Sequence, residues 1–117
     1  MTDTDTDTDI DTDQGGDRDT DTQVQILREL FEVVEDRREN PSPESYTSSL
    51  FEHEKGINAV LEKIGEESTE VVLAAKDDDT GEVVEESADL IYHLLVLLAA
   101  KEIQLDDLLD ELRERRG

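Results

Sequence analysis

The sequence predicts an all-α fold with two long helices at its centre. Three observations carry that reading. Apolar residues recur at i, i+3 and i+4 from Val24 onward. No stretch sustains a period of two, and there is no hairpin signal. Two clear breaks, Asn40-Pro41-Ser42-Pro43 and Asp77-Asp78-Asp79-Thr80-Gly81, separate runs of helical length.

The elements follow in order. Val24, Leu27, Leu30, Phe31 and Val34 share one face of a first helix that fades near Glu39. After the proline break, Ser42 or Ser45 caps a short second helix through Leu50 and Phe51. Gly56 ends that piece or begins the next. Ile57 to about Lys76 forms a long helix. The acidic turn supplies an N-cap for another, Glu82 to about Ile103. Leu105-Asp106-Asp107-Leu108-Leu109 opens a last helix that runs to Arg113 or beyond.

Composition bounds the function. The 117 residues suffice for one domain. Acidic residues number 34 against 11 basic ones, a net charge of −23. A nucleic-acid partner gripped through positive surface is thereby excluded, because a duplex is itself densely negative. Anionic lipid is disfavoured for the same reason. The absence of cysteine removes disulfides, thiolate metal sites and thiol nucleophiles. With 3% aromatics and no tryptophan, the core must be aliphatic. The uncharged run from Leu90 to Ala100 contains His93 and falls well short of the roughly 20 residues of a membrane span. Met1 is followed by alternating Thr and Asp, with neither a basic nor an apolar region, so no secretory signal is expected and the location expected is cytoplasmic.

Residues 1–22 read as a separate acidic tail, with nine aspartates against one arginine. Such a segment buries too little surface to offset its ordering entropy and is expected to be disordered. The domain is assigned to residues 23–117. Because the acidity is spread over tail and domain alike, it fits a high-salt cytoplasm better than a dedicated basic partner.

The informative feature emerges when the long helices are projected at about 100° per residue. Glu67 falls in the middle of a stripe formed by Val60, Ile64, Val71 and Ala74, with Glu70 and Lys63 at its edge. A charge there is costly unless it is paired or binds a metal. The next helix repeats the pattern. Glu86 and Asp89 share a face, and His93, four residues on, stacks on the same side. Packed antiparallel across the acidic turn, the two carboxylate pairs would face each other. Oxygen donors without thiolate suit a hard divalent cation, Mg²⁺ or Mn²⁺, which completes its shell with phosphate oxygens. E-x-x-E spacing alone is common in so charged a chain. Glu29-x-x-Glu32 and Glu32-x-x-Glu35 have it too and read as solvated faces.

Further signs surround the carboxylates: Arg37-Arg38, Ser45-Tyr46-Thr47, Leu50, Gly56, Lys63-Ile64-Gly65-Glu66-Glu67, Ser68-Thr69-Glu70-Val71 and Glu86-Ser87-Ala88-Asp89-Leu90-Ile91-Tyr92-His93. With them, the chain resembles the all-α nucleotide pyrophosphatases, the group of MazG-like enzymes and dimeric dUTPases. Within that group it is most similar to the phosphoribosyl-ATP pyrophosphohydrolases, over about residues 24–116. S-Y-T with K-x-x-E-E-x-x-E and A-D-L-x-Y-H carries more of the resemblance than the carboxylates do. The acidic stretch Phe51-Glu52-His53-Glu54-Lys55 departs from the pattern, and the Thr-Asp tail is no part of it. The tail, with the acidic domain, fits a halophilic archaeal source.

The resemblance implies a bundle of four or five helices that associates as a homodimer. A thin aliphatic core and a helix apolar on more than one side from Leu90 to Ala100 independently favour the dimer. The implied reaction is Mg²⁺-dependent hydrolysis of phosphoribosyl-ATP to phosphoribosyl-AMP and pyrophosphate, the second step of histidine biosynthesis. A phosphoribosyl-AMP cyclohydrolase would be its functional partner. Glu67, Glu70, Glu86 and Asp89 are the implied metal ligands. Glu67, in the most apolar surroundings, is assigned to activate water. Lys63, Glu66, Tyr46, Thr47, Arg38 and His93 are the implied substrate contacts. Bland readings stand beside these. Lys63 is placed for an i,i+4 ion pair, Thr47 for a cap, and His93 for the core, while Tyr92 reads as packing. Two other functions stay open at this point: a house-cleaning pyrophosphatase of dUTP, dCTP or damaged triphosphates, and a non-enzymatic acidic interaction module.

Overall fold

The computed structural model describes residues 20–116. They form five helices: α1 (Thr20–Glu39), α2 (Tyr46–Phe51), α3 (Ile57–Lys76), α4 (Thr80–Ala100) and α5 (Leu105–Arg115). No strand occurs among the described residues, so the fold is all-α, as expected. The expected disorder of the tail falls mostly on residues 1–19, outside the described ones. Thr20 to Thr22, assigned to that tail, are instead the start of α1, ahead of the first apolar residue. Periodicity reports the buried face of a helix and is silent on polar turns that precede it.

Internal contacts divide the chain between Leu30 and Phe31. The described part of the first unit is one helical run, residues 20–30. The second unit holds the rest of α1 and every other element. Its apolar core is aliphatic save for Phe31, and Val34, Leu50, Val60, Ala74, Leu95, Val96, Ala99 and Leu105 are buried with it.

Capping explains where the helices start. Ser45, not Ser42, is the N-cap of α2, and its hydroxyl accepts from the Ser48 backbone N–H at 3.2 Å. Asp79 caps α4 by accepting from Glu82 N–H at 3.1 Å. Gly56 precedes α3 with φ 61° and ψ −139°, a conformation that favours glycine.

The ends of α3 and α4 share one device. Asp79 N–H donates to Ala74 C=O and Asp78 N–H to Ala75 C=O, each at 3.1 Å. Ile103 N–H donates to Leu98 C=O at 2.8 Å and Glu102 N–H to Ala99 C=O at 3.0 Å. Both are Schellman turns, with Asp78 (φ 56°) and Glu102 (φ 60°) in the left-handed position usually given to glycine. This corrects the expectation that α4 runs to Ile103. It stops at Ala100, at a turn that no Gly or Pro announces. The turn after α3 is short, so α3 and α4 form an αα-hairpin, the scaffold of everything that follows.

Candidate functional site

The hairpin brings the two carboxylate pairs together. Glu67 precedes the turn by about as many residues as Asp89 follows it, so equal helical rise places them level. Glu67, Glu86 and Asp89 each present an oxygen such that all three atoms lie within 4.8 Å of one another. Glu70 stands outside that tight group, yet its charge is one of those that act on Glu86. The projected stripe is real. Val60 and Ala74 are buried, Ile64 and Val71 half-buried, and Glu67 is half-buried between them.

Electrostatics show what the cluster lacks. Glu67 Oε1 is buried and has no hydrogen-bond partner. A buried acceptor without a donor carries its full desolvation cost. The Glu86 carboxyl is pushed up to about 7, first by desolvation, then by the adjoining Glu67 carboxyl and the charges of Glu70, Glu67 and Asp89. Like charges at this spacing cannot all ionise freely without a cation among them. The donor set is all oxygen, part-buried and short of positive charge. That fits a hard divalent ion.

Above the cluster stands a network of hydroxyls and rings. His93 is buried at 4% exposure. Its Nδ1–H donates to the Asp89 backbone carbonyl at 2.8 Å, and the Tyr46 hydroxyl donates to its Nε2 at 3.0 Å. Thr47 Oγ1 pairs with the Tyr92 hydroxyl. Thr47 is therefore not a cap, and Tyr92 does more than pack. Nothing in the local sequence marks this pairing, whose partners lie 45 residues apart. The Tyr46 hydroxyl is held protonated, chiefly by desolvation, against an opposing pull from Lys63. Lys63 is raised in turn, mainly by the Tyr46 oxygen, and keeps its positive charge beside the cluster.

The remaining residues fall in two places. Lys63 pairs loosely with Glu66 at 3.5 Å, one residue short of the i,i+4 pair with Glu67. Glu66 itself is exposed. Arg38 is not brought to the carboxylates. It pairs with Glu102 at 3.0 Å and lines a cavity of about 320 Å³ with Leu50, Phe51, Ile57, Val60 and Ala100. Val60 lies two turns before Glu67 on α3, about 10 Å away along the axis. One positioning residue escaped the sequence reading. Buried Ser48 accepts from Ser42 N–H and donates to the Arg37 carbonyl, each at 3.0 Å, and so ties α2 to the end of α1.

Comparison with known proteins identifies the family. Residues 27–116 match the family described as phosphoribosyl-ATP pyrophosphohydrolase. A phosphoribosyl-ATP pyrophosphatase of Haloarcula marismortui is 64% identical over 91 residues, 78% of this chain and 93% of that protein. One from Haloquadratum walsbyi is 60% identical over 90 residues, 77% of this chain and 90% of its own length. One from Methanococcoides burtonii is 52% identical over 91 residues, 78% and 92% of the two chains. The match takes in α2, the whole α3–α4 hairpin and every residue of the carboxylate cluster. The chain belongs to the phosphoribosyl-ATP pyrophosphohydrolase family.

Proposed function

We propose that this chain hydrolyses the α–β phosphoanhydride of phosphoribosyl-ATP, releasing pyrophosphate and phosphoribosyl-AMP, in the second step of histidine biosynthesis. The observation that carries the reading is the convergence of Glu67, Glu86 and Asp89 within 4.8 Å around a buried, unpartnered Glu67 Oε1. Glu67, Glu70, Glu86 and Asp89 would hold Mg²⁺, with Mn²⁺ as a substitute. Such an ion, when bound, offsets the charge of the phosphate oxygens and of the leaving pyrophosphate. Glu67 takes a proton from the attacking water at Oε1, the oxygen that no donor in the structure occupies. The water oxygen bonds to the α-phosphorus, the bond from that phosphorus to the bridging oxygen breaks, and pyrophosphate departs. Lys63 supplies a fixed positive charge to the phosphate chain. Glu66, Tyr46 and Thr47 border the same side, and Arg38 is reserved for a more distant part of the substrate.

A homodimer is part of the proposal. Leu61 and Val72 share one exposed face of α3, and Val84 and Ile91 one exposed face of α4. Leu61, Val72, Val84 and Ile91 are 45–63% exposed in the single chain, more apolar surface than a helical hairpin leaves bare without a partner. No helix among the described residues is long and apolar enough to cross a membrane, which agrees with a cytoplasmic enzyme. Its product would pass to a phosphoribosyl-AMP cyclohydrolase.

The test is pyrophosphate release from phosphoribosyl-ATP, with dUTP and dCTP alongside, in high-salt buffer with and without Mg²⁺. Mg²⁺-dependent release from phosphoribosyl-ATP alone is expected. Release only from the nucleoside triphosphates would keep the carboxylate site and discard the substrate. No release by folded protein would discard the enzyme.

A further inference from the structure

Aromatic side chains are scarce in this protein: two tyrosines, two phenylalanines and no tryptophan. Both tyrosines nevertheless meet beside the carboxylate cluster. Their rings stack with centroids 6.3 Å apart and planes inclined by 29°. His93 closes the group, edge-on to Tyr92 at 4.9 Å and to Tyr46 at 5.9 Å. In so thin a core these rings would be valuable as packing, yet Tyr46 remains 50% exposed.

The Tyr46 hydroxyl, by contrast, is fully engaged. The Asp89 carbonyl oxygen can only accept, so His93 Nδ1 carries the proton and Nε2 the lone pair. Tyr46 is therefore the donor to Nε2. Both ring nitrogens of His93 are satisfied and the ring is buried, which leaves it nothing to offer a ligand directly. Its effect is to pin the Tyr46 ring to the backbone of Asp89, a residue of the cluster. Lys63, Glu67 and Asp89 all lie close enough for their charges to act on the Tyr46 hydroxyl. With the phosphates of the proposed substrate at the carboxylates and Lys63, the ring is within reach of the nucleoside that follows them.

We propose that Tyr46 is the stacking platform for the adenine ring of the substrate, with His93 as the positioning residue that holds it. The proposal rests on the substrate being an adenine nucleotide. It deepens that reading, because the carboxylates and Lys63 recognise only phosphate and metal and cannot distinguish one base from another. An aromatic ring offers its π-face to a base at little conformational cost, and here the hydroxyl bond removes the remaining freedom.

The full chain reports on this directly, because tyrosine is its only strong emitter. AMP is titrated into wild-type protein and into Tyr46→Leu, Tyr46→Phe and Tyr46→Phe/His93→Gln, its binding to each read by calorimetry, and tyrosine emission is followed in wild type, where Tyr46 is present to report contact. Pyrophosphate with Mg²⁺ is the second probe, its binding read by calorimetry. Melting curves confirm folding. Leu and Phe both leave His93 Nε2 unpaired, so their difference isolates the ring. Saturable quenching by AMP is expected in wild type. Tyr46→Leu should weaken AMP about tenfold more than it weakens pyrophosphate. Tyr46→Phe should fall between wild type and Leu, and adding His93→Gln to it should cost AMP nothing further, because both changes cut the same bond. AMP binding without quenching, or an equal loss of AMP and pyrophosphate in Tyr46→Leu, would overturn the platform. Wild-type affinity in Tyr46→Phe would overturn the role of His93. Failure of wild-type protein to release pyrophosphate from phosphoribosyl-ATP would instead overturn the substrate, and it is measured separately.

Discussion

Glu67 and Glu86 divide the burden of the site between them. Glu67 has an oxygen that no donor reaches, and Glu86 has a proton it is reluctant to release. Glu67→Gln would bring an amide donor into the cluster and remove the proposed base. Asp89→Asn would remove a charge while leaving the helix intact. Each is expected to abolish pyrophosphate release with unchanged far-ultraviolet circular dichroism, and normal turnover in either would remove the metal-site assignment. The Glu86 shift also has a thermodynamic sign. The folded protein holds this proton to about pH 7, whereas the unfolded chain releases it near 4.5. Between those values the native state binds more protons, so metal-free stability falls as pH rises through the window. The decline of urea midpoints in chelator from about pH 5 to above pH 7 is expected to be smaller in Glu86→Gln than in wild type. The same proton competes with a cation, so apparent Mg²⁺ affinity should rise across the interval.

At the scale of elements, the helical hairpin was legible because two local signals agreed. Glu67 breaks an apolar stripe, and an acidic turn follows at a distance that brings Asp89 back level with it. The stop of α4 was not legible. Lys101-Glu102-Ile103-Gln104 contains no residue with a left-handed preference, and the turn is held by backbone bonds and by Arg38, 64 residues earlier, paired with Glu102. The Tyr46–His93 and Thr47–Tyr92 pairs were hidden for the same reason, being products of packing between α2 and α4. The two Schellman turns can be tested. Asp78 occupies a left-handed conformation that its Cβ opposes. Asp78→Gly is expected to stabilise the fold by about 1 kcal/mol, read from chemical denaturation. Ser48→Ala should do the reverse. It strands the Ser42 N–H and the Arg37 carbonyl in a buried site, at a cost of about 1–3 kcal/mol.

For the whole molecule, charge and assembly decide the working conditions. A net charge of −23 on 117 residues repels itself strongly in dilute buffer. Raising KCl from about 0.1 M to about 1 M shortens the screening length from about 10 Å to about 3 Å, and the melting temperature should climb accordingly. Millimolar Mg²⁺ at constant ionic strength should add a further increment, because a specific site stabilises by linkage and not by screening. The exposed apolar faces of α3 and α4 give the second expectation at this scale. Sedimentation should return twice the 13.2 kDa chain mass, and Ile91→Glu should shift it toward the monomer.

The hairpin also bears on how the protein reaches its native state. The carboxylates that meet in space are contributed by residues 67 to 89, across a single short turn. Contacts this close in sequence carry little loop-closure cost and form early. The carboxylates whose charges act on Glu86 are thus expected to meet early, before α5 or the end of α1 can help. A divalent cation present during refolding would act on that step itself. It should speed the folding limb of the chevron and not merely slow the unfolding limb, which would make the ion proposed for the chemistry part of the nucleus as well.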